Sequence, residues 1–451
     1  MKSEKEIYSK ARTGARKIPS VFCIFAISLF ASFICGCSDF LSPVESTPSP
    51  TEYQFNYWLL QKTYLFEDEL DKLDPDGDSV QTLYENLDDP YTRYVPPSNS
   101  ETAVTQLNTS IIEGDIGLEY AVDVNVSEYP LTIYRVYPGS PASKANVPRY
   151  GTIKSINGIQ ILKISDYTLY DSVLTHSKEI TLEIAYNGET KKYEMEKETI
   201  YAPTIFIDTL NGITFVTIKS FKLNTYDQEN GTYGELKAYL DSTRNEKGVR
   251  VLDLRNNPGG HVSQCVNMAD LFVKEGPLSI KHWRTLDSDG SSIHKRDTVI
   301  AKSGDSGEKG KFVMLINGNS ASCAEIFAAA ISEQAPIPVL GSKSYGKGIG
   351  QTTWKTKDNG LAIITSLEFL TPKSNSYHKI GIIPQFPCEN ESVYDCIENA
   401  SQEYFGMSAI NKKALSQKAR TLDYYRTKIS RQVSEFGEAL ETGDTNLYNN
   451  P

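Results

Sequence analysis

Three short stretches of this 451-residue chain carry residue types that do chemistry. Asp253-Leu254-Arg255-Asn256-Asn257-Pro258-Gly259-Gly260 closes an apolar run, and Asn317-Gly318-Asn319-Ser320-Ala321-Ser322-Cys323-Ala324-Glu325-Ile326 closes another. Tyr345-Gly346-Lys347-Gly348-Ile349-Gly350-Gln351 follows. A serine hydroxyl is a weak nucleophile until a neighbouring base takes its proton. Lysine at its ordinary pKa of about 10.4 cannot be that base near neutrality, but apolar burial disfavours the ammonium and lowers the value by several units. Ser322 opens an apolar helical stretch, so the N–H of Cys323 has no helical acceptor and can meet an oxyanion. A glycine N–H from the Pro258-Gly259-Gly260 turn would supply a second donor. Each stretch alone has a plainer use. Ser322-x-x-Glu325 is a capping box, the Asn-Asn-Pro-Gly-Gly run is a turn, and a single lysine is ordinarily a surface residue.

Their joint order and spacing resemble the tail-specific, or carboxyl-terminal processing, serine proteases. In that family the second motif reads Ser-Ala-Ser-Ala-Ser-Glu and the third Phe-Gly-Lys-Gly-x-x-Gln. The resemblance spans roughly residues 50–390. It implies Ser322 as nucleophile and Lys347, 25 positions later, as general base. It further implies Gln351 as the residue orienting the lysine and Glu325 as a support. The family glycine of the oxyanion hole falls at Gly259 or Gly260, with the Cys323 N–H as its partner. Cys323 replaces the family alanine, but only its backbone N–H is asked for. Gln385, after Gly381-Ile382-Ile383-Pro384, stands where the family commonly has aspartate. His261 has no acidic partner at a recognisable spacing and reads as a loop residue lining the cleft. With five scattered His and no Cys-x-x-Cys, the sequence offers no metal site, and the family chemistry calls for no cofactor.

The elements that must position these residues follow from periodicity. Residues 52–100 have helical spacing of apolar positions and end in Asp89-Pro90-Tyr91-Thr92-Arg93-Tyr94, a turn with aromatics and no evident chemistry. Residues 101–200 shift to short strands with Asn157-Gly158 and Asn187-Gly188 turns. That order resembles a PDZ domain, although Gly151-Thr152 stands where such domains usually carry Gly-Asp. The resemblance makes Gly117 and Leu118 the loop that holds a peptide's terminal carboxylate, with the peptide added to the sheet edge. Residues 201–390 alternate strands and helices, which implies an α/β core with crossover connections; the resemblance makes it a Clp/crotonase-like peptidase core. Residues 391–451 read as a C-terminal helical extension.

Residues 1–36 read as a signal peptide, with a basic start and an apolar run from Val21 to Ile34 too short to span a bilayer. Ile34-Cys35-Gly36-Cys37 resembles the lipobox of bacterial lipoproteins, so Cys37 is the expected lipidation site and 37–51 a Ser/Pro-rich tether. The formal net charge is −11 although residues 1–36 carry +4, leaving −15 on the remainder. That balance excludes nucleic acid as a natural partner. Of the four cysteines beyond Cys37, Cys388 and Cys396 are close enough in sequence to pair, while Cys265 and Cys323 read as buried small apolar residues. The whole reads as a cell-envelope, lipid-anchored serine peptidase acting on proteins or peptides with exposed C-termini, in a family whose members often assemble. The rivals are a catalytically silent PDZ adaptor that only binds peptides, and a crotonase-like enzyme for small acyl substrates.

Overall fold

The computed structural model describes residues 50–411, except 123–127, 164–165, 228, 303–308 and 390. The expected signal peptide, Cys37, nearly all of the tether and residues 412–451 lie outside the described residues.

The core sheet runs in the order 205–210, 213–218, 249–253, 311–316, 339–341, 386–387. Its first pair is antiparallel and the rest are parallel. Parallel neighbours need crossovers, and the helices Gly231–Ser242, Val262–Asp270 and Cys323–Gln334 lie between these strands in sequence. Strand Val249–Asp253 is buried at every position, so side-chain alternation sorts two apolar faces rather than an inside and an outside. Leu252 and Met314 face a core with Phe327 and Ala328 of the helix Cys323–Gln334. Val251 and Val313 face the other way, against Ile397 and Ala400. The helix Val393–Phe405 is therefore the second covering layer of the sheet, stapled to its approach by a Cys388–Cys396 disulfide.

A second sheet was not legible in the sequence. Five antiparallel strands, 93–95, 277–286, 292–300, 349–355 and 361–370, form it. Strand 292–300 is mostly exposed and polar, so it lacks the apolar run that marks a buried strand. The N-terminal helical region packs on this sheet. Leu59, Leu60, Leu83 and Tyr84 share a core with Ala362 and Ile364, and both Arg284 Nη atoms donate to the carbonyls of Tyr64 and Gln61 at 2.8 Å. Residue 100, the expected boundary, lies inside the helix Pro97–Asn108.

The inserted β domain enters and leaves through one antiparallel strand pair, 111–115 with 198–201. Its own sheet runs 118–122, 131–136, 152–156, 179–186, 189–196, with 159–160 on 152–156. Strand Leu131–Val136 alternates buried and half-buried residues, the pattern of a sheet with one face in a core. Asn157 and Asn187 take positive φ, 47° and 50°, ahead of their glycines, as tight hairpin turns require. The strand Leu118–Val122 is the sheet's edge, and Tyr120 meets Tyr170 of the neighbouring helix edge-on at 4.7 Å. At the start of this edge strand Gly117 N–H donates to Asp115 Oδ1 at 2.5 Å.

Candidate active site

The three motifs converge at the C-terminal ends of the parallel strands, the usual location of ligand sites in such sheets. After strand Val249–Asp253 the chain turns over a buried amide: Asn257 Nδ2 donates to Ile218 O at 2.9 Å, and Asn257 Oδ1 accepts from Gly259 N at 2.8 Å. Ala321 N donates to Asn257 O at 2.9 Å, which draws the serine loop onto this turn. Gly259 and Gly260 have φ of 102° and 141°. A Cβ at Gly259 would sit 2.9 Å from Ser322 Cβ and from Cys323 N; one at Gly260 would fall 2.1 Å from Phe221 O. Both positions therefore demand glycine.

Ser322 has φ 55° and ψ −116°, a backbone conformation that costs a non-glycine residue of the order of 1–3 kcal/mol. It is half-buried. What holds it is Glu325, whose side chain is fully buried. Glu325 Oε2 accepts from Ser322 N at 2.9 Å and from Lys347 N at 2.7 Å. Glu325 Oε1 accepts from the Ser344 hydroxyl and from Gly346 N, each at 2.6 Å. Nucleophile and base loops thus share one carboxylate oxygen, and the plainer reading of Glu325 as a helix cap describes only its bond to Ser322. Burial pushes the Glu325 carboxyl up, against these four donors.

Lys347 Nζ donates to Gln351 Oε1 at 3.1 Å and lies 4.0 Å from the centre of the Tyr91 ring. Burial lowers its pKa to about 8, with the Arg93 charge acting in the same direction and Asp89 and Glu325 opposing. Gln351 is itself held: its Nε2 donates to Thr365 Oγ1 at 3.0 Å across the 349–355/361–370 strand pair. Thr365 N donates to Thr92 Oγ1 at 2.8 Å, and Thr92 Oγ1 donates to Asp89 Oδ2 at 2.6 Å. Hydrogen bonds through Gln351 and Thr365 therefore tie Lys347 to residues 89–92, a segment in which no chemistry was evident from residue types alone. The signal was the Pro-Tyr-Thr-Arg-Tyr cluster itself, but nothing local says that it folds onto a lysine more than 250 positions away.

Two backbone donors in the loops that meet here have no protein acceptor among the described residues. These are Cys323 N, at the start of its helix, and Gly260 N. Gly259 N is consumed by Asn257, and Gly260 is exposed where Gly259 is buried. His261 occupies the N-cap position of the helix Val262–Asp270 but makes no side-chain bond to its backbone; its Nδ1 lies 3.0 Å from Ser263 Oγ. Gln385 Oε1 accepts from Val339 N over a long 3.4 Å. Cys265 and Cys323 are not separate buried thiols: they form a disulfide. Among the described residues no His/Cys/Asp/Glu cluster could hold a metal ion.

Comparison with known proteins agrees in kind. A sequence profile for peptidase family S41 matches residues 212–388. A probable CtpA-like serine protease of Staphylococcus aureus is 27% identical over 389 residues, 85% of this chain and 74% of that protein. One from Staphylococcus epidermidis is 25% identical over 434 residues, 94% and 83% of the two chains. The structure of a putative S41 protease from Bacteroides fragilis aligns with a TM-score of 0.50 and 14% identity, covering 86% of this chain and all of that one. That likeness speaks to the fold.

Proposed function

The chain belongs to peptidase family S41, the carboxyl-terminal processing proteases, and is a serine-type peptidase; on that premise we propose that it cuts with Ser322 as nucleophile and Lys347 as general base. The observation that carries this is the Glu325 Oε2 atom that takes the backbone N–H of both residues. The neutral Lys347 amine removes the Ser322 proton as Oγ attacks the substrate carbonyl carbon. The negative oxygen that results is met by the N–H groups of Cys323 and Gly260, and each such donor contributes about 3 kcal/mol to the transition state. The Lys347 ammonium then returns its proton to the leaving amine. Water enters and attacks the acyl carbon as the same lysine takes its proton; the lysine then gives that proton to Ser322 Oγ as the acyl group leaves as the acid.

Substrates in this reading are proteins or peptides captured near their C-termini. The inserted domain acts as a PDZ module: its edge strand Leu118–Val122 offers unpaired backbone groups that an extended peptide can complete. With Gly117 N–H committed to Asp115, Leu118 N–H is the donor this reading leaves at the start of that strand. The leader reading places the enzyme in the cell envelope, with Cys37 carrying lipid. Two experiments test these points. Unfolded casein incubated with the wild type and with Ser322→Ala or Lys347→Ala should be degraded only by the wild type, the variants losing at least about 10³-fold in rate; equal rates would refute the site. Feeding expressing cells an alkyne fatty acid should label the wild type and not Cys37→Ala. Equal labelling, or none in either, would refute the anchor.

A further inference from the structure

The disulfide next to the nucleophile is placed to do more than hold the core. Cys323 is the first residue of the helix Cys323–Gln334, and its N–H is one of the two donors assigned above to the oxyanion. Cys265 is the fourth residue of the helix Val262–Asp270, whose N-cap, His261, directly follows Gly260, the other donor. Both sulfur-bearing residues are fully buried. The bond therefore joins the two helices whose N-terminal approaches form the two halves of the oxyanion hole.

Each half has its own anchors. The glycine turn is pinned on one side by Phe221, whose N–H donates to Gly259 O at 3.0 Å and whose carbonyl accepts from His261 N at 2.7 Å. The serine half is pinned by Glu325 and by Ala321 N on Asn257 O. Hydrogen bonds cross between the halves from Ala321 N to Asn257 O, from Asn319 Nδ2 to Asn256 Oδ1 and, farther back, from Ser320 Oγ to Leu254 O, and the disulfide is the covalent crossing. Ser322 also holds an unfavourable backbone conformation, which persists only where the surroundings over-determine it. A shift of the order of 1 Å in such a site costs about 10²-fold in rate.

We propose that the Cys265–Cys323 disulfide is a positioning clamp that fixes the separation of the Gly260 and Cys323 oxyanion donors, so that Cys265 acts on catalysis without touching substrate. This rests on the Ser322 reading above, and the experiment separates the two. The full chain is purified in detergent as wild type, Cys265→Ala/Cys323→Ala and Cys265→Val/Cys323→Ala, the second pair refilling part of the lost volume. Fluorescent casein cleavage gives kcat and KM, and hydrogen exchange is read on peptides covering 257–262 and 320–326. A clamp predicts that kcat falls about tenfold while KM stays within about twofold, part of the loss of one oxyanion donor. It also predicts faster exchange confined to those two peptides in both variants. Unchanged kcat with unchanged local exchange overturns it. So does loss of the whole fold in both variants, since the bond would then hold the domain and not the hole. Faster local exchange in an enzyme whose wild type cleaves no casein supports the clamp while removing the protease reading.

Discussion

Lys347 is the residue on which magnitude matters most. A lysine at about 10.4 would be almost wholly protonated at pH 7, whereas one near 8 leaves roughly a tenth of the enzyme with a free amine. On the proposed mechanism the base acts when deprotonated, so kcat/KM should rise about tenfold per pH unit below 8 and level off above it. Gln351 supplies the test of cause. Its Oε1 accepts from Lys347 Nζ as a neutral amide, so Gln351→Glu would set a carboxylate at the same distance and favour the ammonium. The midpoint of the pH–rate curve should then move upward, leaving activity at pH 7 depressed and partly recovered by alkali. A midpoint that stays put, or moves down, would mean that another group controls the profile.

The element that seals the lysine is the segment 89–94, and two physical effects there oppose each other. Tyr91 stacks on the amine and favours its charge through cation–π attraction, about 0.5–2 kcal/mol. The same ring excludes water, and desolvation of a buried lysine shifts its pKa by up to about 3–5 units the other way. Desolvation is the larger, so Tyr91→Ala should raise the midpoint of kcat/KM toward the ordinary lysine value, while Tyr91→Phe should leave it near 8. A downward shift in Tyr91→Ala would show that stacking dominates. This element also shows where sequence reading stops. Ser322, Lys347, Gln351 and Glu325 sit in contiguous motifs whose residue types state their chemistry, and each falls where those motifs meet. Tyr91 and Thr365 reach the lysine only through strand pairings, 93–95 with 361–363 and Gln351 with Thr365, that leave no local spacing to read. Cys265 and Cys323, 58 positions apart, likewise look like any two apolar core residues until the helices pack. The parallel core was legible because strands buried on both faces are unbroken apolar runs; the second sheet, with a polar exposed strand, was not.

At the scale of the molecule, the inserted domain meets the peptidase core across a charged seam. Arg135 of the domain donates to Glu119 at 3.1 Å and to Asp208 of the core at 2.9 Å, and Arg149 adds a second contact to Asp208. The side chains of Arg135 and Asp208 are only 10% and 15% exposed, so neither is a freely solvated ion. Burial would raise the Asp208 carboxyl, but Arg135 and Arg149 outweigh it and leave it below the ordinary carboxylate range. A carboxylate depressed in the folded state stabilises above its unfolded pKa of about 3.9, and that contribution is lost as pH falls through the folded value. The wild type should therefore lose stability faster below pH 4 than Asp208→Asn, in which no charge remains to titrate. At pH 7 the order reverses, because Asp208→Asn leaves a buried guanidinium with Glu119 as its remaining anionic partner. The cost should be about 2–4 kcal/mol, below that of a fully orphaned buried charge. Arg135→Met removes the cation as well, so the double variant should be less destabilised than the two single losses summed. Urea unfolding at pH 7 and pH 3.5 checks both statements. Additive losses at pH 7, or parallel acid sensitivity in wild type and Asp208→Asn, would show that the seam is held by its apolar contacts and that these charges are only its surface.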